Sequence, residues 1–319
     1  MHTKTGILMV IIFSQPQPMD TQIPKSPPLQ VLTSPDWRDY ELLDSGDGQK
    51  LERYGAYILL RPEPEAVWRR SLPEREWNKA HAAFKPAPEE NGGHWQPLTK
   101  LPERWTMQYK QLRFYVQTTA SRHLGVFPEQ AAQWDWIAQQ IEGSRRPLRV
   151  LNLFGYTGLA SLAAAQAGAA VTHLDASRKV VQWANDNLTF SNLSDRGVRW
   201  IVDDALKFVQ REARRNSTYD GIILDPPKFG RGPKGEVWEF YKLLPTLLDA
   251  CRLILSQQPV FVALTAYAVK ASSLTLYYAL QEMLAGKTGT LTAGEIALTE
   301  KSAGRLLSTA IFARWTNVA

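Results

Sequence analysis

A carboxylate, two prolines and an aromatic ring stand together in the segment Asp225-Pro-Pro-Lys-Phe229. The prolines fix the backbone and remove two N–H donors, so the Asp225 carboxylate and the Pro226 carbonyl can both face a cleft as acceptors. Such acceptors suit the N–H groups of an exocyclic amine, and the Phe229 ring can stack on the flat ring that carries the amine. We therefore predict as catalytic residues Asp225, Pro226, Pro227 and Phe229. The alternative is a rigid turn after a strand, with Phe229 buried.

A second chemical signal lies upstream, in Val150-Leu-Asn-Leu-Phe-Gly-Tyr-Thr-Gly158. An apolar run meets a glycine turn and a small-residue helix, and a second apolar run ends in Asp175. This order predicts a βαβ unit whose glycines let the backbone approach a ligand and whose acid can bind ribose hydroxyls. The turn has G-x-x-G and not G-x-G-x-x-G, so a nucleoside ligand without phosphates fits better, and S-adenosylmethionine is the obvious one. The cofactor-binding candidates here are Asn152, Phe154, Gly155, Thr157, Gly158 and Asp175.

Two further acids follow the next predicted strand, Asp203 and Asp204. Ligands of open parallel sheets bind beyond the carboxyl ends of the strands, and this chain places glycines or acids after four successive strands. We predict that an acid of this pair accepts the adenine amine, with Asp204 preferred because a helix follows it directly. For each acid taken singly, the alternative is a helix cap or a solvated loop.

The strands and helices predicted around these residues indicate an α/β fold. Five alternating strand–helix units, including a helix over Val237–Leu255, are followed by two strands without an intervening helix, Gly289–Leu298 and Leu306–Trp315, hence an antiparallel hairpin. This is the plan of the Rossmann-like class I methyltransferase sheet. We predict a disordered lead-in over 1–35, a small mixed α/β accessory domain over 36–120 and the methyltransferase domain over 121–319. The accessory part reads as strands near 40–43, 56–60 and 105–118, with a helical segment over 63–84.

Composition narrows the function further. The chain has 319 residues, a net charge of +6 and a pI near 9.3, which favours a polyanionic partner such as RNA. A single cysteine and scattered histidines argue against a disulfide framework and a metal site. The apolar block Gly6–Phe13 is far shorter than the roughly 20 residues of a membrane span. We expect a cytoplasmic protein, with Met1 and Met19 as alternative starts.

With these motifs, the chain resembles the S-adenosylmethionine-dependent methyltransferases grouped with the bacterial 23S ribosomal RNA enzymes, both the cytosine-C5 and the guanine methyltransferases. The resemblance covers roughly residues 105–315 and rests above all on Asp225-Pro-Pro-Lys-Phe229. Gly125-Val-Phe-Pro-Glu-Gln130 looks like the family's segment that closes over the cofactor, which implies three more cofactor-binding candidates, Phe127, Glu129 and Gln130. The resemblance implies methylation of a base of ribosomal RNA.

The chain departs from the cytosine-C5 members at one point. They carry a nucleophilic cysteine just after the fifth strand, where this chain reads Thr265-Ala-Tyr-Ala268, and Cys251 lies on an apolar helix pattern typical of a buried thiol. We therefore expect N-methylation rather than C5-methylation. A loop of three cations beside the target site is predicted to contact RNA phosphates, namely Lys228, Arg231 and Lys234. Two alternatives remain: a protein or small-molecule N-methyltransferase, and a non-catalytic RNA-binding protein on the same scaffold.

Overall fold

We describe the protein from a computed structural model, which defines residues 27–34, 36–87 and 92–317. The strands, in chain order, are β1 (Leu29–Leu32), β2 (Tyr40–Gly46), β3 (Gln49–Tyr54), β4 (Tyr57–Pro62), β5 (Ala82–Pro86), β6 (Gly93–Pro97), β7 (Arg104–Tyr109), β8 (Leu112–Gln117), β9 (Arg149–Leu153), β10 (Ala170–Asp175), β11 (Arg199–Val202), β12 (Gly221–Leu224), β13 (Phe229–Arg231), β14 (Val237–Glu239), β15 (Phe261–Ala266), β16 (Thr290–Thr299) and β17 (Leu306–Thr316). The α-helices are α1 (Glu74–Trp77), α2 (Ala131–Gly143), α3 (Leu159–Gln166), α4 (Arg178–Phe190), α5 (Ala205–Arg214), α6 (Phe240–Leu253) and α7 (Ser273–Met283).

An eight-stranded sheet in the order β1-β16-β17-β15-β12-β9-β10-β11 forms the centre of the protein. Strands β9, β10, β11, β12 and β15 are mutually parallel, because each is joined to the next by a helical crossover. Strand β17 inserts antiparallel between β15 and β16. The predicted fold class, a parallel methyltransferase sheet with a C-terminal antiparallel hairpin, is confirmed.

The edge of this sheet corrects one prediction. Residues 29–32, placed in the disordered lead-in, form β1 and pair in parallel with Ala293–Ile296 of β16. The C-terminal hairpin leaves an unpaired edge whose N–H and C=O groups β1 satisfies, a partner that local composition could not reveal. Residues 1–26, with the Met1 and Met19 alternatives, lie outside the described residues.

The accessory segment is richer in strands than predicted. A five-stranded sheet, β2-β3-β4-β5-β6, is followed by the β7–β8 hairpin. The helix predicted over 63–84 shrinks to α1, because the amides of Ser71 and Leu72 donate to the Asp44 carboxylate and Ala82–Pro86 pairs as β5. Tertiary hydrogen bonds thus replace the helical ones that the local pattern favoured.

The two parts share one apolar core. Tyr54 and Phe114 of the accessory strands lie buried in the same cluster as Trp134, Leu162 and Leu188 of the large sheet's helices. Polar contacts add to this, since the backbone N–H of residue 301 donates to the carbonyl of residue 42 at 2.8 Å. The domain boundary near residue 120 stays a prediction. The accessory strands pack directly against the helices of the large sheet. Within the described ranges, no helix combines the length and apolar character of a membrane span.

Candidate active site

A cleft of about 550 Å³ opens at the carboxyl ends of β9, β12 and β15. Helix α2 and the segment before it form its other wall. Eight predicted residues line it: Phe127, Gln130, Asn152, Phe154, Gly155, Thr157, Gly158 and Asp225. Ten others lie outside its lining: Glu129, Asp175, Asp203, Asp204, Pro226, Pro227, Lys228, Phe229, Arg231 and Lys234. Six of the eight were predicted from the strand ends and the glycine turn, and Phe127 and Gln130 from the family resemblance.

The glycine turn between β9 and α3 is built by packing. A Cβ on Gly155 would lie 2.4 Å from the buried His173 ring, and one on Gly158, whose φ is +88°, would lie 2.8 Å from the Ala184 Cβ. The absent side chains let β10 and α4 approach the turn closely. The backbone of the turn faces the cleft as a result. The predicted role of the glycines toward a ligand stays a prediction.

Asp175 supports the turn from behind. Its Oδ2 accepts the N–H of Tyr156 at 3.1 Å, and its Oδ1 accepts the N–H of Ser177 at 2.9 Å. Burial raises the pKa of this carboxyl, and the two N–H donors oppose that rise. Each oxygen still has a lone pair to offer, so the ribose role predicted for Asp175 is chemically open.

The two acids after β11, Asp203 and Asp204, have different hydrogen-bond partners. Asp204 is the N-cap of α5 and accepts the Lys207 N–H through Oδ1 at 2.9 Å. Asp203 accepts the Asp204 N–H through Oδ1 and forms an ion pair with Arg211 through Oδ2. Each oxygen of Asp203 thus has one partner, as each oxygen of Asp175 has, whereas the cap of Asp204 uses one oxygen. The preference for Asp204 as the adenine acceptor stays a prediction.

Two other predicted cofactor residues have structural partners. The buried Asn152 side chain donates to Ser161 Oγ at 2.9 Å, and the buried Thr157 hydroxyl donates to the Gly125 carbonyl. These bonds fix β9 to α3 and fix the turn to the segment before α2. Both residues also line the cleft, so their backbone atoms are the parts open to a ligand.

Asp225 directly follows β12 and lines the cleft. Its Oδ2 accepts the Gln130 side-chain amide at 3.3 Å, while its Oδ1 is buried and has no partner among the described residues. Burial raises the pKa of Asp225 to about 8, and the nearby Glu129 carboxylate adds to the rise. Buried polar atoms are nearly always hydrogen-bonded, so this oxygen is open to a donor from water or from a ligand.

The proline turn after Asp225 is rigid for a reason beyond the prolines. Trp238 on β14 donates through Nε1 to the Pro227 carbonyl at 2.7 Å, and its ring packs against Phe154 at 4.9 Å. The Pro226 residue is buried. The turn is therefore fixed to the glycine turn through one tryptophan.

The loop after the proline turn differs from its predicted form. It is a short hairpin in which Phe229–Arg231 pairs with Val237–Glu239, so α6 begins at Phe240 and not at residue 237. Phe229 is 54% exposed, which excludes the buried-Phe alternative. The side chains of the three predicted loop cations are also exposed, as befits residues that would meet a large substrate: Lys228, Arg231 and Lys234.

The segment before α2 packs as an aromatic and acidic wall. Phe127 contacts His123, Tyr156 and Tyr267, with ring centroids 4.8 to 5.5 Å apart. Glu129 is buried in a one-turn 3-10 helix, and burial raises the pKa of its carboxyl. Phe127 and Gln130 line the cleft. Glu129 does not line it, but its carboxylate raises the pKa of Asp225.

Sequence reasoning missed three polar residues at this site: Gln133, Tyr156 and Tyr267. Gln133 lines the cleft with an unpartnered buried Oε1, and it lies three residues after Gln130, on the same face of the chain's helical turn. Tyr156 sits inside the glycine turn with φ +49°. Tyr267 directly follows β15, so the strand-end rule that located Asp225 could have located it as well.

The comparisons with known proteins agree with this geometry. Residues 87–258 match the model of the S-adenosylmethionine-dependent methyltransferase family. A solved structure described as the SAM-dependent methyltransferase from Agrobacterium tumefaciens superposes with a TM-score of 0.87 at 46% identity, covering 90% of this chain and 93% of that one. This chain belongs to the S-adenosylmethionine-dependent methyltransferases. The prediction of family, enzyme class and cofactor is confirmed.

Curated relatives of this methyltransferase include ribosomal RNA methyltransferases. The chain is 32% identical over 154 residues to the ribosomal RNA large subunit methyltransferase K/L of Shewanella sp. strain ANA-3, a match covering 43% of this chain and 21% of that protein. It is 43% identical over 81 residues to the ribosomal RNA large subunit methyltransferase I of Shewanella frigidimarina, covering 25% and 20% respectively. This methyltransferase spans about a fifth of the length of these relatives.

Two further features of the methyltransferase bear on its chemistry. Cys251 lies on α6 and is fully buried in the core, and burial raises the pKa of its thiol far above the ordinary range, which confirms the prediction of a buried core thiol. The described residues bring together no group of three or more histidine, cysteine or acidic side chains that could hold a metal ion.

Proposed function

We propose that this methyltransferase transfers a methyl group to a nitrogen of a base in RNA. The observation that carries the proposal is the buried, unpartnered Asp225 Oδ1, held by a rigid proline turn beside the cofactor cleft. An N–H of an exocyclic amine satisfies that oxygen. Phe229, exposed beyond the turn, offers its face to the ring that carries the amine.

The cleft and the strand ends beside it fit the cofactor. Asp175 would hold the ribose hydroxyls, Asp204 the adenine amine, and the backbone of the glycine turn the methionine part, with Phe127 and Gln130 covering it. The unpartnered Gln133 Oε1 in the same cleft is a further acceptor for a polar ligand. When bound, S-adenosylmethionine supplies a reactive methyl group on a positively charged sulfur.

The protein's own part is to position the nitrogen and to receive its proton. Asp225 accepts one N–H in the hydrogen-bonded complex, which aims the nitrogen lone pair into the cleft. In its ionised form, which the positive charge of bound S-adenosylmethionine would favour, Asp225 can take up the proton that the nitrogen must lose, and its pKa of about 8 makes it a stronger base than an ordinary aspartate. In-line placement supplies most of the acceleration, since effective molarities of about 10⁵ M or more are reached by well-oriented groups.

RNA is the substrate that the surface favours. The chain carries +6 net charge, and its exposed loop cations border the proline turn. Both curated relatives are named as ribosomal RNA methyltransferases. N-methylation is preferred to C5-methylation because the chain's only cysteine is buried in the core, away from the cleft.

The test is transfer of labelled methyl groups from S-adenosylmethionine into total RNA and total protein from cells lacking the gene. We expect label that nuclease removes and protease does not, on a nitrogen by nucleoside analysis. Asp225→Ala should abolish transfer and keep cofactor affinity within a few-fold, while Asp195→Ala, a change at a 79% exposed side chain, should change neither. Label lost only with protease would replace RNA with protein as the substrate, and a fully active Asp225→Ala would refute the role of Asp225.

The cation loop has a separate test. Replacing its three cations by alanine should weaken RNA binding and reduce the salt dependence of log K by about 2, because each phosphate contact on single strands contributes roughly 0.7. The matched control removes three exposed cations at or just beyond the carboxyl ends of α5, α6 and α7, at the opposite edge of the sheet: Arg214, Arg252 and Lys287. Equal losses in the two triple variants would show a bulk charge effect and no loop contact.

A further inference from the structure

Tyr267 lies beside Asp225 at the carboxyl edge of the sheet. Strands β12 and β15 are neighbours in parallel register, with Leu224 opposite Leu264. Asp225 and Thr265 are therefore the next residues along, level with each other, and Tyr267 follows two positions later. The register places Tyr267 at the same edge of the sheet as Asp225, just beyond Thr265, which lines the cleft.

The hydroxyl of Tyr267 is buried and makes no well-formed hydrogen bond among the described residues, although the Gln130 side chain lies near enough to oppose the rise of its pKa. Its ring packs against Phe127, with centroids 5.0 Å apart. Buried hydroxyls in proteins are nearly always bonded, and leaving one unbonded is costly. Asp225 Oδ1 is a second buried atom without a partner, and its carboxylate lies close enough to the phenol to raise the pKa of Tyr267. Two such atoms together indicate a ligand that bonds both.

The charges around Tyr267 determine whether its hydroxyl donates or accepts a hydrogen bond. Burial and the carboxylates of Glu129 and Asp225 raise the pKa of the phenol far above its ordinary value. The hydroxyl therefore keeps its proton throughout the working range and is available as a donor. Asp225 Oδ1, when ionised, is an acceptor only. The two orphans form a donor and acceptor pair.

We propose that Tyr267 positions the target base by donating a hydrogen bond to the acceptor atom next to the amine that Asp225 receives. The proposal rests on the function proposed above and narrows its substrate. The base must carry an exocyclic amine directly beside an unprotonated ring nitrogen, as adenine, cytosine and guanine do. Uracil has no such edge and is excluded as the target.

The test is Tyr267→Phe, which removes only the orphan hydroxyl. With total RNA from cells lacking the gene, we expect kcat/KM for the RNA to fall about five- to thirty-fold, the effect of one lost hydrogen bond to a substrate. The Kd of S-adenosylhomocysteine should stay within two-fold, and the melting temperature should stay level or rise. Tyr278→Phe, at a 53% exposed ring on α7, is the matched control and should behave as the wild type.

Three results would overturn the proposal. Unchanged kcat/KM would mean that the hydroxyl contacts no substrate. A parallel loss of S-adenosylhomocysteine affinity would move the bond to the cofactor, and a lowered melting temperature would give the hydroxyl an internal partner. If the wild type labels protein and not RNA, the proposed RNA substrate fails on its own. The two variants are then compared on the labelled protein fraction, where equal rates for Tyr267→Phe and wild type would count against Tyr267.

Discussion

Asp225→Asn should make the cofactor-free protein more stable at alkaline pH while removing its activity. The folded-state pKa of Asp225 is about 8, against 3.8 for a free aspartate. Below pH 4 the carboxyl is neutral in both states and the substitution changes little. Between pH 4 and 8 the unfolded chain releases the proton and the folded protein keeps it, so the free energy of unfolding falls as pH rises.

The size of the effect follows from the shift. One pKa unit corresponds to about 1.4 kcal/mol, so a shift of about four units has a ceiling of roughly 6 kcal/mol above pH 8. Water entering the cleft relaxes part of that cost, and we expect about 2 to 3 kcal/mol. Asparagine carries no charge at any pH and does not bear this penalty.

Urea unfolding at pH 4.5 and pH 8.5, without cofactor, checks the prediction. The wild type and Asp225→Asn should nearly coincide at the lower pH and separate at the higher one, with the variant more stable. Asp195→Asn, at an exposed carboxylate, should follow the wild type at both. Two results would refute this argument: a difference in the free energy of unfolding that does not depend on pH, or an asparagine variant that is less stable than the wild type at pH 8.5. Either would mean that the buried, ionised Asp225 does not destabilise the folded protein.

Four further predictions concern the same site. S-adenosylmethionine, with its net positive charge, should bind more tightly at pH 8.5 than at pH 6 by calorimetry, because it stabilises ionised Asp225, whereas neutral S-adenosylhomocysteine should show a weaker dependence. Gly155→Ala should lower the free energy of unfolding by about 1 to 3 kcal/mol in urea, because its Cβ would lie 2.4 Å from buried His173. Trp238→Phe should lower kcat several-fold by freeing the proline turn, with circular dichroism unchanged; full activity would contradict the bond's role. Cys251→Ala should keep kcat within two-fold, and a dead, folded variant would bring the thiol mechanism back.

Much of the fold could be predicted because it rests on local patterns. Alternating apolar runs and helices indicated the parallel sheet, and two consecutive strands at the end indicated the hairpin of β16 and β17. The accessory strands were harder to predict from the sequence. The Asp44 carboxylate accepts hydrogen bonds from backbone amides of a segment whose local pattern favours a helix. Long-range hydrogen bonds of this kind leave no trace in the periodicity of the segment that receives them.

The position of the acids at one edge of the sheet could be predicted from the sequence. Asp175, Asp204 and Asp225 each follow a strand of the parallel sheet, and parallel strands have their carboxyl ends at one edge. The hydrogen-bond partners of each acid depend on the tertiary structure. Asp203 and Asp204 differ by one position, yet one is taken by Arg211 and the other caps a helix. Asp225 and Tyr267 differ from other strand-end residues in having a buried polar atom without a partner, a property of the surrounding packing that no local pattern encodes.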